Sequence, residues 1–458
     1  MARSIARTPA RTSTKEKDRA TGILADLPRF GRGIGLHRSV ALLEPLVDQT
    51  WWRRLDAIKV TGSYGKGSVA TMIAAILHAA DIPCGLFTSP HLRSFEERIQ
   101  LDGEPIEPAV LDAAAGRLRS RLTAYKSEYP QDKVGYFEAL TALACYAFAE
   151  KKPAALVAEA GIGGRFDPTR VIPGQTTVLT GLDHEHVDLL GGSLETIAYD
   201  KLDLASAGGT LLTGRLSADL VRRLRGAAQV RGISLKTLDD LAASRRPRLT
   251  SISTIADLTV DGSSFEALEI NAAGEHQIDN AALAAAAASH WLRRNHPEVD
   301  IATAIRIGLG RVRLPGRFQR VHRDPDVWID LAHTPRSIAA SALAAHAVLS
   351  PPVILVTGLS TDKDYDALLS PLLPLASRVI VTRARHRGAP VGAVAARAHS
   401  LGANLVDTAP VVETALAHAL ARARAEDRSV LVAGGFFLAA EALAVLEKRD
   451  PSRLAYPR

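Results

Sequence analysis

The sequence predicts an α/β protein of two domains, each a parallel sheet covered by helices, the first carrying a small antiparallel insertion and the second smaller and Rossmann-like. Three observations carry this expectation. From residue 56 onward, short apolar β-rich runs alternate with Ala/Leu-rich stretches of helical character, the pattern that buries a parallel sheet under helices. Across residues 247–271 the pattern changes, and Thr, Ser, Ile and Val alternate around an Asp261-Gly262 turn signal, as in an antiparallel hairpin. Residues 311–317, RVRLPGR, place a Pro-Gly turn among arginines, and a second βα series begins beyond this break.

In the first domain, residues 57–61 read as a strand, 68–80 as a helix and 82–87 as a second strand. Residues 136–151 read as a helix, and 154–159 and 176–180 as strands. Residues 247–271 read as a hairpin beside the main sheet, followed by helices over 280–294 and 301–310. In the second domain, strands are expected at 327–331, 353–356, 379–382 and 429–433, with Ala-rich helices between them. The resulting division is an arm over 1–20, a first domain over 21–312 and a second over 313–458.

The 458 residues are 47% hydrophobic, enough for two or three cores. No run of eighteen or more apolar residues is present, so no membrane partner is expected. The net charge of +7 is unevenly placed. Residues 1–20 hold six basic side chains (Arg3, Arg7, Arg11, Lys15, Lys17, Arg19) against Glu16 and Asp18, so +4 of the +7 sits there. A basic arm on a nearly neutral body reads as a solvated, disordered tail rather than a nucleic-acid surface. Cys84 and Cys145 lie in apolar surroundings and read as buried thiols of a cytoplasmic protein, not as a disulfide framework or metal cluster.

The strongest local signal is Thr61-Gly62-Ser63-Tyr64-Gly65-Lys66-Gly67-Ser68. A strand enters a glycine-rich turn and a helix leaves it. Small residues let backbone N–H groups approach phosphate oxygens, and the helix N-terminus favours negative charge. In such a loop Lys66 reaches the terminal phosphates and Ser68 offers a hydroxyl to Mg²⁺. The general pattern G-x-x-x-x-G-K-[ST] is met imperfectly: Val60 stands where its first glycine belongs, and Gly67 separates lysine from serine. A bare glycine turn is the alternative.

Glu159 closes an apolar strand ahead of Gly161-Ile162-Gly163-Gly164-Arg165-Phe166-Asp167. A carboxylate at the C-terminal end of a parallel strand beside a phosphate loop is placed for Mg²⁺, or else for capping the next turn. Residues 180–186 repeat the arrangement, and Asp183, His184, Glu185 and His186 are alternatives there by chemistry.

The form T-G-x-x-G-K-G-S resembles the phosphate loop of folylpolyglutamate synthases, with Tyr64 in place of their usual Asn. Leu27-Pro28-Arg29-Phe30-Gly31 resembles that family's N-terminal segment. Thr88-Ser89-Pro90-His91-Leu92 and Phe95-Glu96-Glu97-Arg98-Ile99 resemble its T-S-P-H-L…F-N-E-R-I signature. Similar segments recur in order from about residue 24 to 445. The chain thus resembles the folylpolyglutamate synthase/dihydrofolate synthase branch of the Mur ligase superfamily. The resemblance implies a P-loop ATPase domain and a C-terminal ligase domain. The implied reaction joins a pteroate- or folate-type acid to glutamate, using ATP and an acyl-phosphate. The implied partners are small molecules only, with no nucleic acid, on a monomeric enzyme.

The resemblance also implies site residues. Gly62, Ser63, Gly65, Lys66, Gly67 and Ser68 would meet the ATP phosphates. Asn280, in an H-Q-x-x-N-A segment, Arg317 of Pro315-Gly316-Arg317, and Asp330 would meet the rest of the nucleotide. Ser68, Ser89, Glu159 and His184 would hold two Mg²⁺ ions, with Lys201 supporting a metal as a carbamate. That modification requires a neutral amine, which burial can supply. Lys66, Lys201 and His333 are the implied catalytic residues; Arg29, Phe30, Phe166 and Asp167 are the implied contacts of the acid. Asp362, Lys363 and Asp364 would lie in the cleft. Tyr64, Arg170, Asp203, Leu331 and Thr334 depart from the folate pattern, and Asp203 is expected to disturb the charge balance at Lys201. A paralogue coupling another acid and amino acid is therefore a rival reading, and a non-ligase P-loop NTPase is another.

Overall fold

The computed structural model describes residues 20–454 and 456; the basic arm expected over 1–20 lies outside them except for Ala20, which opens a short helix (Ala20–Ala25). The first sheet is built from β1 (Ile58–Thr61), β2 (Cys84–Phe87), β3 (Ile99–Leu101), β4 (Glu104–Pro105), β5 (Ala155–Glu159), β6 (Thr176–Leu179), β7 (Thr210–Thr213) and β8 (Ser234–Thr237). Its strand order is β4-β3-β2-β5-β1-β6-β7-β8. Strands β2, β5, β1, β6, β7 and β8 run parallel, and β3 and β4 add an antiparallel edge. Every residue of β1, β2, β5 and β6 is buried, which is why they read as continuous apolar runs rather than alternating ones. β1 sits between β5 and β6, with Val60 beside Glu159 and Thr61 beside Leu179. Three carboxyl ends thus open onto one crevice, the place where open α/β sheets bind ligands.

The helix Lys66–Ala79 packs its Val69, Met72, Ile73, Ile76 and Leu77 into the core. It lies against the helices His276–Asn295 and Ile301–Arg311. Small residues permit that approach: a Cβ at Gly308 would stand 2.6 Å from the Ile76 Cα, closer than van der Waals contact allows.

The antiparallel insertion has three strands, not the expected two: β9 (Ala242–Leu249), β10 (Thr254–Val260) and β11 (Ser263–Ile270), in the order β11-β10-β9. Asp261 (φ 49°) and Gly262 (φ 86°) both adopt left-handed backbone in the β10–β11 turn, as a two-residue hairpin favours.

The second sheet holds β12 (Gln319–His322), β13 (Val327–Ile329), β14 (Val353–Thr357), β15 (Ala376–Val381), β16 (Val406–Thr408) and β17 (Val430–Val432), ordered β12-β13-β17-β14-β15-β16. All neighbours run parallel except β12 and β13. The four strands read from the sequence are β13, β14, β15 and β17. Cys84 and Cys145 are free and buried, and burial pushes both thiols upward. Among the described residues no helix is long and apolar enough to cross a membrane.

Candidate active site at the phosphate loop

The turn after β1 is fixed by its neighbours across the sheet. Thr61 donates to the Gly163 carbonyl (2.6 Å), and the Ser63 N–H donates to the Gly181 carbonyl (2.7 Å). Thr180 at the end of β6 donates its hydroxyl to the Tyr64 carbonyl (2.5 Å). Two positions demand glycine. Gly65 has φ 81°, and a Cβ there would stand 2.8 Å from the Asn280 Oδ1; a Cβ at Gly62, with φ 147°, would overlap the Thr180 hydroxyl.

Two ammonium groups converge on this turn. Lys66 donates to the Gly62 carbonyl at 2.8 Å. Lys201 donates to the same oxygen at 3.0 Å and to Glu185 Oε1 at 3.2 Å. Lys201 is only 1% exposed. Burial pulls its amine down to about 8 even though Glu185 works in the opposite direction. Burial pushes Glu185 up, but Lys66 and Lys201 together hold its carboxyl below the usual range. His186 adjoins this group; burial brings its imidazole down to about 4, with Lys66, Lys363 and Lys201 adding to the effect against Glu185. It is therefore neutral near pH 7. It occupies a left-handed backbone position (φ 48°), a local strain that the surroundings must hold in place.

This arrangement corrects one expectation. His184 is exposed, and its backbone N–H donates to Asp183 Oδ1 at 2.9 Å. His186, two residues on, is the histidine that faces Lys66 and Lys201.

Glu159, at the end of β5, is 4% exposed. Its Oε2 accepts the Ser89 N–H at 2.9 Å. Burial pushes this carboxyl up, opposed by Lys66, the Ser89 N–H and Arg317. A Cβ at Gly67 would lie 3.6 Å from both Glu159 Oε1 and Arg317 Nη2, so the first turn of the helix passes between a buried carboxylate and a guanidinium. Ser68 is buried in that turn. Glu159, Ser68 and Ser89 thus meet at the crevice. Among the described residues no group of three or more His, Cys, Asp or Glu side chains could hold a metal ion alone. One carboxylate with hydroxyls still suits Mg²⁺, which keeps waters and takes phosphate oxygens for its other positions.

The second sheet completes the site. A cavity of about 240 Å³ lies between the domains, with Tyr64, Asn280, Arg317 and Asp330 among its walls. Asn280 donates to Gln277 Oε1 (2.9 Å). Asp330, beyond β13, is buried; it accepts the N–H groups of Phe318 (2.7 Å) and Ala332 (2.8 Å), while burial pushes its carboxyl up. His333 is lowered to about 4 by burial and then by Lys363. Its Nδ1 lies 3.1 Å from the Leu331 carbonyl, so Nδ1 carries the hydrogen and Nε2 is left as an acceptor.

The expected contacts of the acid divide. Arg29 and Phe30 are exposed and stack on one another at 4.9 Å, and Arg387 and Asp362 of the second domain influence Arg29. Phe166 is half-exposed beneath Arg165 (5.1 Å). Asp167 is corrected: it is 3% exposed and accepts from the N–H groups of Gly161, Ile162 and Thr169 and the Thr169 hydroxyl, at 2.6–3.1 Å. Its oxygens hold the loop after Glu159 and leave nothing for a ligand. Asp203 does not disturb Lys201, because Arg231 pairs with it at 2.6 Å. Arg170 donates outward to the Arg165 carbonyl, Leu331 is buried against Gly316, and Thr334 caps the helix Pro335–Leu349. Of the five departures, only Tyr64 lines the nucleotide-sized cavity. Arg215 and Arg336 also line it, and no local motif marks them. The Arg336 N–H donates to Asp183 Oδ2 across the domains (3.2 Å).

A strand–loop–helix phosphate cradle under a second α/β lobe defines a Mur-type ligase. Residues 60–288 match the Mur ligase middle domain, and residues 316–436 match the glutamate ligase domain of Mur ligases. The dihydrofolate synthase/folylpolyglutamate synthase of Mycobacterium tuberculosis is 33% identical over 354 residues, covering 74% of this chain and 72% of that protein. The folylpolyglutamate synthase of Lacticaseibacillus casei is 30% identical over 352 residues, covering 77% of this chain and 82% of that one. A probable bifunctional folylpolyglutamate synthase/dihydropteroate synthase of Halobacterium salinarum is 34% identical over 429 residues, and there the chain spans only 51% of its relative. Among solved structures, the M. tuberculosis folylpolyglutamate synthase complexed with ADP superposes with a TM-score of 0.85 at 30% identity, covering 94% of this chain and 97% of that one. The chain belongs to the folylpolyglutamate synthase/dihydrofolate synthase family of the Mur ligases.

The Lys201 environment has a measurable consequence. The folded value, about 8, lies below the ordinary lysine value of 10.5, so between these the unfolded chain binds more protons and stability rises with pH. In carbonate-free buffer, urea unfolding of the wild type should gain about 3 kcal/mol on Lys201→Met from pH 8 to 10.5. A constant difference across that window would contradict the burial of a poorly solvated ammonium.

Proposed function

We propose that this chain is an ATP-dependent carboxylate–amine ligase that activates a pteroate- or folate-type acid as an acyl-phosphate and couples it to glutamate. The observation that carries the reading is the shared Gly62 carbonyl, which gathers Lys66 and Lys201 at the end of β1, beside Glu159. Relatives named as folylpolyglutamate synthases supply the substrate class, as does a solved folylpolyglutamate synthase complex with an ATP analogue and folate.

In this reading residues 21–312 hold the nucleotide and the acid, and residues 313–458 close over them. Lys66 leaves the Gly62 carbonyl to meet the terminal phosphates, where a fixed positive charge stabilises charge developing during transfer. Ser68, Ser89 and Glu159 would hold Mg²⁺, which neutralises the phosphate oxygens when bound. Asn280 and Asp330, which line the cavity, would take base and ribose, and Arg317, on the same wall, would meet the phosphates from the second lobe. His333, neutral with Nε2 as an acceptor, would take a proton from the attacking amine. Closure excludes water from the acyl-phosphate, which otherwise hydrolyses. Lys201, with an amine near 8, has a neutral fraction able to take up CO₂. The resulting carbamate would face Glu185, so Lys66 or a cation must balance it. A monomer in the cytoplasm is the expected state.

Phosphate release by the purified chain should require ATP, Mg²⁺, a pteroate or folate acid and glutamate together. Lys66→Ala should lower kcat/KM by about 10²–10³. Release without acid or amine would favour a bare NTPase, and release with a different acid would move the substrate assignment within the family. In ¹³C-bicarbonate, the wild type should show a carbamate carbon resonance that is absent from Lys201→Met; its absence from both would remove the carbamate.

A further inference from the structure

The arginine-rich junction has no part in the proposed reaction beyond Arg317. Residues 311–323 carry Arg311, Arg313, Arg317, Arg320, His322 and Arg323 and no acidic residue. The chain folds this stretch around a second cavity, of about 640 Å³, which shares Arg317 with the cavity of about 240 Å³ between the domains. Arg93 reaches it from the loop after β2, so both domains supply its walls. No Asp or Glu lines it.

The charges there are unequally compensated. Arg93 pairs with Glu447 (2.8 Å) and Arg320 with Asp326 (3.1 Å). Arg313 and Arg323 form no ion pair among the described residues, whereas Arg317 interacts with the carboxylates of Glu159 and Asp330. Guanidinium groups crowded around one concavity that no acidic residue lines repel one another and concentrate anions. Neutral donors are present as well. Gln319 uses its Oε1 to accept the Gly316 N–H (2.8 Å), and its amide NH₂ has no partner among the described residues. The cavity is several times too large for a single inorganic phosphate, whose charge could meet only part of the arginine set.

We infer that this cavity binds an elongated anion with several charges, a run of carboxylates or of phosphates, held by Arg313, Arg317 and Arg323. Planar guanidinium forks suit either group, since each offers paired oxygens to two parallel N–H bonds. Because Arg317 lines both cavities, such an anion would draw on a side chain that also faces the nucleotide site. The inference does not depend on the ligase reading.

Calorimetry on the full chain in metal-free buffer at low salt tests it, with tripolyphosphate and a triglutamate peptide as the two probes. Arg313→Ala combined with Arg323→Ala replaces two exposed side chains, and thermal melting verifies that the fold survives. The expected result is one-to-one binding of at least one probe, weakened at least about tenfold by the double substitution, while Lys66→Ala changes it less than about twofold. Which probe responds identifies the phosphate or the carboxylate source. Binding of neither probe, or binding that is lost with Lys66→Ala and survives the arginine substitutions, would overturn the inference.

Discussion

Two ammonium groups on one carbonyl oxygen are the constraint on which the rest of this structure depends. Lys66 comes from the first residue of a helix, and Lys201 from the helix Leu194–Leu202, far along the chain. Both can reach Gly62 only because its backbone conformation turns the carbonyl toward them, and Thr180 leaves no room for a side chain there. Like charges this close, one of them buried, are tolerable only with anions nearby. Glu185 supplies one directly and Glu159 a second from the end of β5. The site therefore gathers paired charges around a glycine turn, where a phosphate chain would replace the Gly62 carbonyl as the acceptor of Lys66. Such preorganisation costs little reorganisation when negative charge arrives.

The second lobe is attached to this site by polar and aromatic contacts, with Leu92 and Ala273 of the first domain packed into its buried clusters. Arg336 donates its backbone N–H to Asp183, and Arg93 pairs with Glu447. Tyr456 stacks on His91 at 5.0 Å and donates to its carbonyl. Interfaces of this kind permit relative domain motion, which a ligase that must admit and then enclose its substrates requires. The same boundary places Arg317 between two cavities, so the arginines of the junction bear on both.

Much of this was legible in the sequence, and the reasons it stopped are physical. Strands buried on both faces, such as β1, β5, β14 and β17, announce themselves as short apolar runs. β9 does not, because six of its eight residues are exposed and three of those are arginines; it is held by its pairing with β10, not by an apolar face. β7, β8 and β16 are three or four residues long and rich in Thr, Ser, Lys or Asp. In the site, Lys66, Glu159, Arg317 and Asp330 could be found because each sits in a compact local motif. The choice between His184 and His186 could not be made locally, since both flank Glu185 in one turn. Distant residues separate the two: His186 lies among Glu185, Lys66 and Lys201, whereas His184 is exposed. Asp167 was implied by the resemblance as a contact of the acid, yet Gly161, Ile162 and Thr169 consume its oxygens.

A crystal structure with a non-hydrolysable ATP analogue and magnesium tests the central claim most directly. The account predicts the phosphate chain in the turn formed by residues 62–68, with Lys66 transferred from the Gly62 carbonyl to the terminal phosphate and Glu159 facing the metal. A nucleotide bound elsewhere, with Lys66 still resting on Gly62, would contradict it.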